Sequence, residues 1–200
     1  MFEGWSEYYL VVGSAAGALI GLLFVVVTLT QGYERSRAMM GVSLYMTPTA
    51  VHFAVVLTIG ALATAPRLAA WTAVLVVGTC AVAGLVNAVH AALGIRKFRT
   101  TSQEPPHWTD FWAYGALPAV LYAGLGAVAT GLWSSSGWAV DATGVLALSL
   151  LLLGIRNAWD LVTWMAPRAD TDGADASGNA LGAVAGDEAS ADGVPVDGRK

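Results

Sequence analysis

The chain has 200 residues, of which 56% are hydrophobic and only 12% charged, with a mean hydropathy of +0.61 and a formal net charge of −4. An ordinary soluble domain carries roughly a quarter charged residues, so this chain lacks the polar surface to cover itself with water. The charge is also local: from Arg168 onward Asp170, Asp172, Asp175, Asp187, Glu188, Asp192 and Asp197 oppose Arg168, Arg199 and Lys200, which leaves the apolar body neutral and without a basic face for nucleic acid.

The first apolar run covers residues 9–30 and meets the requirement of about 20 residues for a transmembrane helix. Its N-terminal flank holds Glu3 and Glu7 rather than basic residues, and the small residues Ser14, Ala15 and Ala16 come ahead of the run's most apolar part rather than after it, so it is expected to stay as a structural helix and not as a cleaved signal. Gly13, Gly17 and Gly21 repeat every fourth residue. Such a small-residue stripe lets a second helix approach closely and gain dispersion contacts, within one bundle or between subunits.

The second run, 47–65, opens on Thr47-Pro48, which reads as an N-cap followed by proline, and Pro66 follows it. The third run, 69–95, contains Cys80, the only cysteine, so no intrachain disulfide can form. The fourth, 111–133, carries Pro118 about two turns in, where a kink is expected and the carbonyl of Tyr114 should need another partner. The fifth, 138–165, ends before Pro167. An all-α bundle of five transmembrane helices is therefore the expected fold, followed at 168–200 by an acidic tail too poor in large apolar residues to fold. Five crossings put Arg35, Arg37, Arg96, Lys97, Arg99, Arg156, Arg168, Arg199 and Lys200 on one side and Arg67 alone on the other. The positive-inside rule makes the first side cytoplasmic and places the N-terminus outside. Aromatic belts agree, with Trp5, Tyr8, Tyr9, Trp71, Trp133 and Trp138 at the outer level and Tyr33, Tyr45, Trp112, Trp159 and Trp164 at the inner one.

Ionisable groups inside a span cost about 2.5–3.5 kcal/mol each at its centre, so each calls for an explanation. Arg156, Asn157 and Asp160 share one face of the fifth run with Ser149 and Thr163, because residues three, four and seven apart line up on a helix of about 100° per residue. His52, Asn87, His90, Tyr114, Thr28 and Gln31 fall at a similar expected depth toward the cytoplasmic side. This candidate cluster supports three readings. Arg156 and Asp160 can pair while Asn157 and the histidines bond between helices, a purely structural use. His52, His90 and Asp160 can instead handle protons or ions. Finally, His52 and His90 on antiparallel neighbours can ligate haem or a metal, without the His-x₃-His or HExxH spacing that would mark such a site. The first reading requires no cofactor. His107, in a loop, is expected to be solvated. No phosphate-binding loop, nucleophile elbow or intramembrane carboxylate pair is present in the sequence, so an enzyme is not expected.

The segments YYLVVGSAAGALIGLLFVV (Tyr8–Val26), TPTAVHF (Thr47–Phe53) and GIRNAWD (Gly154–Asp160) resemble a family of small bacterial inner-membrane proteins with five spans. Their first helix reads approximately F-Y-V-x-V-G-S-x-A-A-A-L-x-G-L-x-F-V; Ile20 stands here where that pattern has threonine. The resemblance covers nearly the whole bundle but not the tail, and its motifs include His52, Asn157 and Asp160. It implies a multi-pass protein of the bacterial inner membrane and no particular activity. The expected partners are the lipid bilayer and further copies or other membrane proteins.

Overall fold

A computed structural model of the chain describes residues 2, 4–30, 46–101, 111–134 and 136–165. By its internal contacts the chain divides into a unit Met1–Trp164 and a second unit Met165–Lys200. The acidic tail at 168–200, His107, Gln31, the aromatic residues Tyr33 and Tyr45, and the basic residues Arg35 and Arg37 lie outside the described residues.

The described residues are helical almost throughout. Helix α1 spans Ser6–Thr30, α2 Thr47–Ala63, α3 Ala70–Thr101, α4 Leu117–Trp133 and α5 Gly137–Met165, with a π-helical turn at Trp112–Ala116 leading directly into α4. Four segments are long and apolar enough to cross a membrane: Ser6–Thr28, Ala70–Lys97, Trp112–Trp133 and Gly137–Thr163. Helix α2, with 17 residues, is a shorter apolar helix. The side chains that point away from the bundle are themselves apolar, among them Leu10, Val11, Phe24, Val82, Val120 and Val145. Water would penalise so continuous an apolar shell, whereas lipid tails do not, so this surface is that of a membrane-embedded helical bundle.

Three local expectations are corrected. Helix α3 continues to Thr101, past residue 95 where the third run is expected to end, so Arg96 and Lys97 are helical. Thr47 is the first residue of α2 and not its cap: the cap position is Met46, which already has helical dihedrals (φ −78, ψ −42) and makes no side-chain capping bond. Pro48 still occupies the first turn, where its missing N–H costs nothing. The effect of Pro118 is also different from a simple kink. Ahead of it the chain widens into the π turn, in which the Leu117 N–H reaches back five residues to the Trp112 carbonyl. The next bond in that register would run from residue 118 to Ala113, and proline has no N–H to make it. The carbonyl that Pro118 leaves without an in-register donor is thus Ala113's, one residue before the expected Tyr114.

Helix contacts are closest between α1 and α2 and between α3 and α4, with α2 also against α3 and the π turn against α3. Small residues set these distances. A Cβ on Gly60 of α2 would stand 2.8 Å from the Gly13 Cα and 2.9 Å from the Tyr9 carbonyl oxygen, so the two backbones touch there. Helix α5 packs through side chains instead. The Phe53 ring of α2 lies over Gly154, and Tyr8 and Tyr9 of α1 donate hydrogen bonds to the Gly144 carbonyl (2.8 Å) and the Val140 carbonyl (3.1 Å). Tyr9 is fully buried, so its ring and hydroxyl hold α1 to α5 within the protein.

Candidate functional site

The polar residues singled out from the sequence fall into two groups in the structure. One joins α5 to the π turn. The other joins α2 to α4, beside α3.

In the first group the Asn157 side chain is fully buried and its Nδ2 donates to the Ala113 carbonyl at 3.3 Å. That carbonyl is the one left open by Pro118 in the π register, so a side-chain amide from another helix takes the place of the missing backbone donor. In return the Tyr114 hydroxyl donates to the Asn157 main-chain carbonyl at 3.1 Å. Two bonds in opposite senses therefore lock α5 to the turn. Arg156 lies beside them, its Nη1 donating to Asn157 Oδ1 at 3.3 Å and pairing with Asp160 Oδ2 at 3.1 Å. The Arg156 and Asp160 side chains are 47% and 41% exposed. At about 1.5 Å per residue Arg156 stands about 28 Å along α5 from Gly137, near the far edge of an apolar layer about 30 Å thick. An ion pair at that level can remain solvated, which removes most of its insertion cost and most of its Coulombic gain. The hydroxyls of Ser149 and Thr163 on the same helix are taken up by their own backbone, at Val145 and at Trp159 and Asp160. Thr28 of α1 likewise bonds to Phe24 and Val25.

The second group centres on His52, which is 1% exposed. Its Nδ1 lies 2.7 Å from the Tyr122 hydroxyl of α4, with the ring centroids 5.6 Å apart. The Tyr122 ring in turn lies against Gly84 of α3, at a place where any Cβ would overlap it. Glycine at 84 is thus what lets a tyrosine from α4 pass close to α3 and reach a histidine on α2. The other ring nitrogen, His52 Nε2, is buried without a hydrogen-bond partner, and so is Asn87 Oδ1 on the next turn of α3. His90 is exposed, on a different side of α3 from the buried residues Ala88 and Ala91. Among the described residues no three His, Cys, Asp or Glu side chains come together as a metal-ion group.

Of the glycine stripe, Gly13 meets Gly60, with a Cβ on Gly13 falling 3.2 Å from the Gly60 Cα. At Gly17 the nearest neighbour is the Leu57 side chain at 3.7 Å, an ordinary contact, and at Gly21 the space is open. The sequence marks Gly84, with Ala83 and Gly94, as part of a face of the third run that packs against protein, and the Tyr122 ring does pack on Gly84; Tyr122 and Gly60 themselves are not marked. Tyr122 carried one signal, as a hydroxyl in the middle of an apolar run, where a polar atom must find a bond.

Comparison with protein families, with curated proteins and with solved structures returned no match for this chain.

Proposed function

We propose that this chain is a structural or accessory component of a bacterial inner membrane: a five-span bundle that assembles with further copies or with another membrane protein. In this reading the N-terminus is outside, the C-terminus is cytoplasmic, and α2 is the second crossing. At 17 residues and about 1.5 Å per residue α2 is about 25 Å long, which a modest local thinning of the bilayer accommodates. The resemblance of the first helix and of the TPTAVHF and GIRNAWD segments to a family with that plan supports the reading.

One observation carries it. The buried Asn157 amide of α5 is used within the protein, its Nδ2 on the Ala113 carbonyl and its Oδ1 accepting from Arg156. A site that binds and releases an ion needs groups free to change partners, whereas these complete a helix junction. The test is flux across proteoliposomes with a pH-sensitive dye inside, alongside native mass spectrometry of the purified protein. The structural reading expects wild-type vesicles to leak no faster than empty ones, and a defined oligomer or a co-purifying membrane protein. A pH-dependent flux lost in Asp160→Asn, with assembly intact, sinks it.

That outcome would favour a small channel or transporter for protons or ions. The observation on its side is His52, an ionisable side chain buried deep in an apolar bundle with one ring nitrogen unpartnered.

A further inference from the structure

Among the described residues, two buried side-chain atoms have no hydrogen-bond partner: His52 Nε2 and Asn87 Oδ1. A polar atom buried without a bond loses its water and gains nothing in exchange, so native folds rarely leave one, and two in one part of a bundle call for a cause. Their chemistry is complementary. Among the described residues the Tyr122 hydroxyl has one hydrogen-bond partner, His52 Nδ1. If the phenol donates, every proton in the pair has a place: Nδ1 accepts, and the ring carries its own proton on Nε2 as a donor. The opposite arrangement would leave the phenol proton with no acceptor as well as a bare Nε2. The favoured tautomer therefore presents an unmet donor at His52, and Asn87 Oδ1 is an unmet acceptor.

Both residues neighbour Tyr122, His52 at its hydroxyl and Asn87 one turn along α3 from the glycine that receives its ring. Gly84 receives the Tyr122 ring, whose hydroxyl holds His52. Asn87 is three residues after Gly84, and side chains three apart on a helix are neighbours, about 5–6 Å between Cβ atoms. The two atoms are nonetheless not bonded to each other.

We infer that His52 and Asn87 hold an internal water molecule between them, closing a buried hydrogen-bonded chain Tyr122–His52–water–Asn87 at the junction of α2, α3 and α4. Water is the ligand class that fits. It can accept from Nε2–H and donate to Oδ1 at once, and two polar partners are enough to retain a buried water. A carbonyl oxygen is a poor second ligand for the metals that prefer imidazole. The water belongs to the fold under either functional reading.

The full chain, carrying isotope-labelled histidine and reconstituted in nanodiscs, is to be observed by water-selected proton–nitrogen magnetic resonance. The expected result is a His52 ring protonated on Nε2, with magnetisation passing to that proton from water. Asn87→Leu removes the acceptor and should cut the transfer several-fold while the Nδ1 signal stays at its hydrogen-bonded position. Asn87→Ala, which adds no bulk, gives the same readout should the leucine variant not fold, and Asn87→Asp, which keeps an acceptor oxygen, retains the transfer. A ring protonated on Nδ1, an Nε2 proton that receives nothing from water, or transfer undiminished in Asn87→Ala overturns the inference.

Discussion

Asn157 on α5 gives its side-chain amide to the Ala113 carbonyl, 3.3 Å away, at the point where Pro118 cannot supply a backbone donor. Asn157→Leu should therefore leave a buried carbonyl unpaired and lower stability by about 1–2 kcal/mol. The cause can be isolated. Pro118→Ala restores a backbone N–H, so in that background Asn157→Leu should cost less, and denaturant unfolding in micelles of the four proteins gives the coupling. Equal costs in both backgrounds would refute the assignment.

The contact of Gly13 with Gly60 makes a graded prediction. Gly60→Ala forces a Cβ against backbone at 2.8 and 2.9 Å, which no side-chain rotation relieves, and should destabilise by roughly 1–3 kcal/mol. Gly13→Ala, at 3.2 Å, should cost less, and Gly21→Ala, into open space, should leave the melting temperature unchanged or slightly higher. Melting curves in one detergent rank the three.

Tyr122→Phe keeps the ring on Gly84 and removes only the hydroxyl from His52 Nδ1. A buried ring nitrogen then loses its partner, at a cost of about 1–3 kcal/mol. Removing both polar groups should be milder than the sum: Tyr122→Phe with His52→Leu is expected to recover part of the loss. A strictly additive double mutant would show that the bond contributes nothing.

The Arg156–Asp160 pair spans one helical turn and is nearly half exposed at both ends. Such pairs contribute about 0.3–0.5 kcal/mol, so Asp160→Asn should lower stability by about half a kcal/mol or less, far less than Asn157→Leu. The two variants, measured side by side, test whether the junction depends on the charges or on the amide.

Arg67, in the turn between α2 and α3, has φ +53, a left-handed conformation unfavourable for any residue with a Cβ. Arg67→Gly should raise stability by about 1 kcal/mol, read as an increase in melting temperature.

The helices are legible in the sequence because apolar runs of bilayer length have few alternatives: α1 and α5 begin at residues 6 and 137 where runs beginning at 9 and 138 are expected. His52 and Asn157 stand out for the same reason, since a polar side chain in an apolar run must be compensated. Their partners are not legible. The Tyr122 hydroxyl, in mid-run, signals that it needs a bond, but its partner is not legible until the fold lays the ring against Gly84. Gly60 is one of 23 glycines, and only the helix crossing distinguishes it from Gly21. Arg156, Asp160 and His90 show the converse. Composition gathers them with the buried groups, whereas helix phase and length bring them to the surface.

The π turn has a further effect, on the angular phase of everything after it. Tyr114 and Tyr122 are eight residues apart and would stand about 80° apart around an uninterrupted α-helix. The one extra residue taken up at Trp112–Ala116 turns the chain back by about 100° in all, and Tyr114 lies midway through the turn, so about half of that follows it and brings the two hydroxyl-bearing rings to within about 30° of one another. Both are buried, one bonded to α5 and the other to α2. A one-residue deletion within the turn would restore a regular helix and swing Tyr114 out of reach of Asn157. The irregular turn is thus the phase adjuster that allows a single helix to serve both polar junctions.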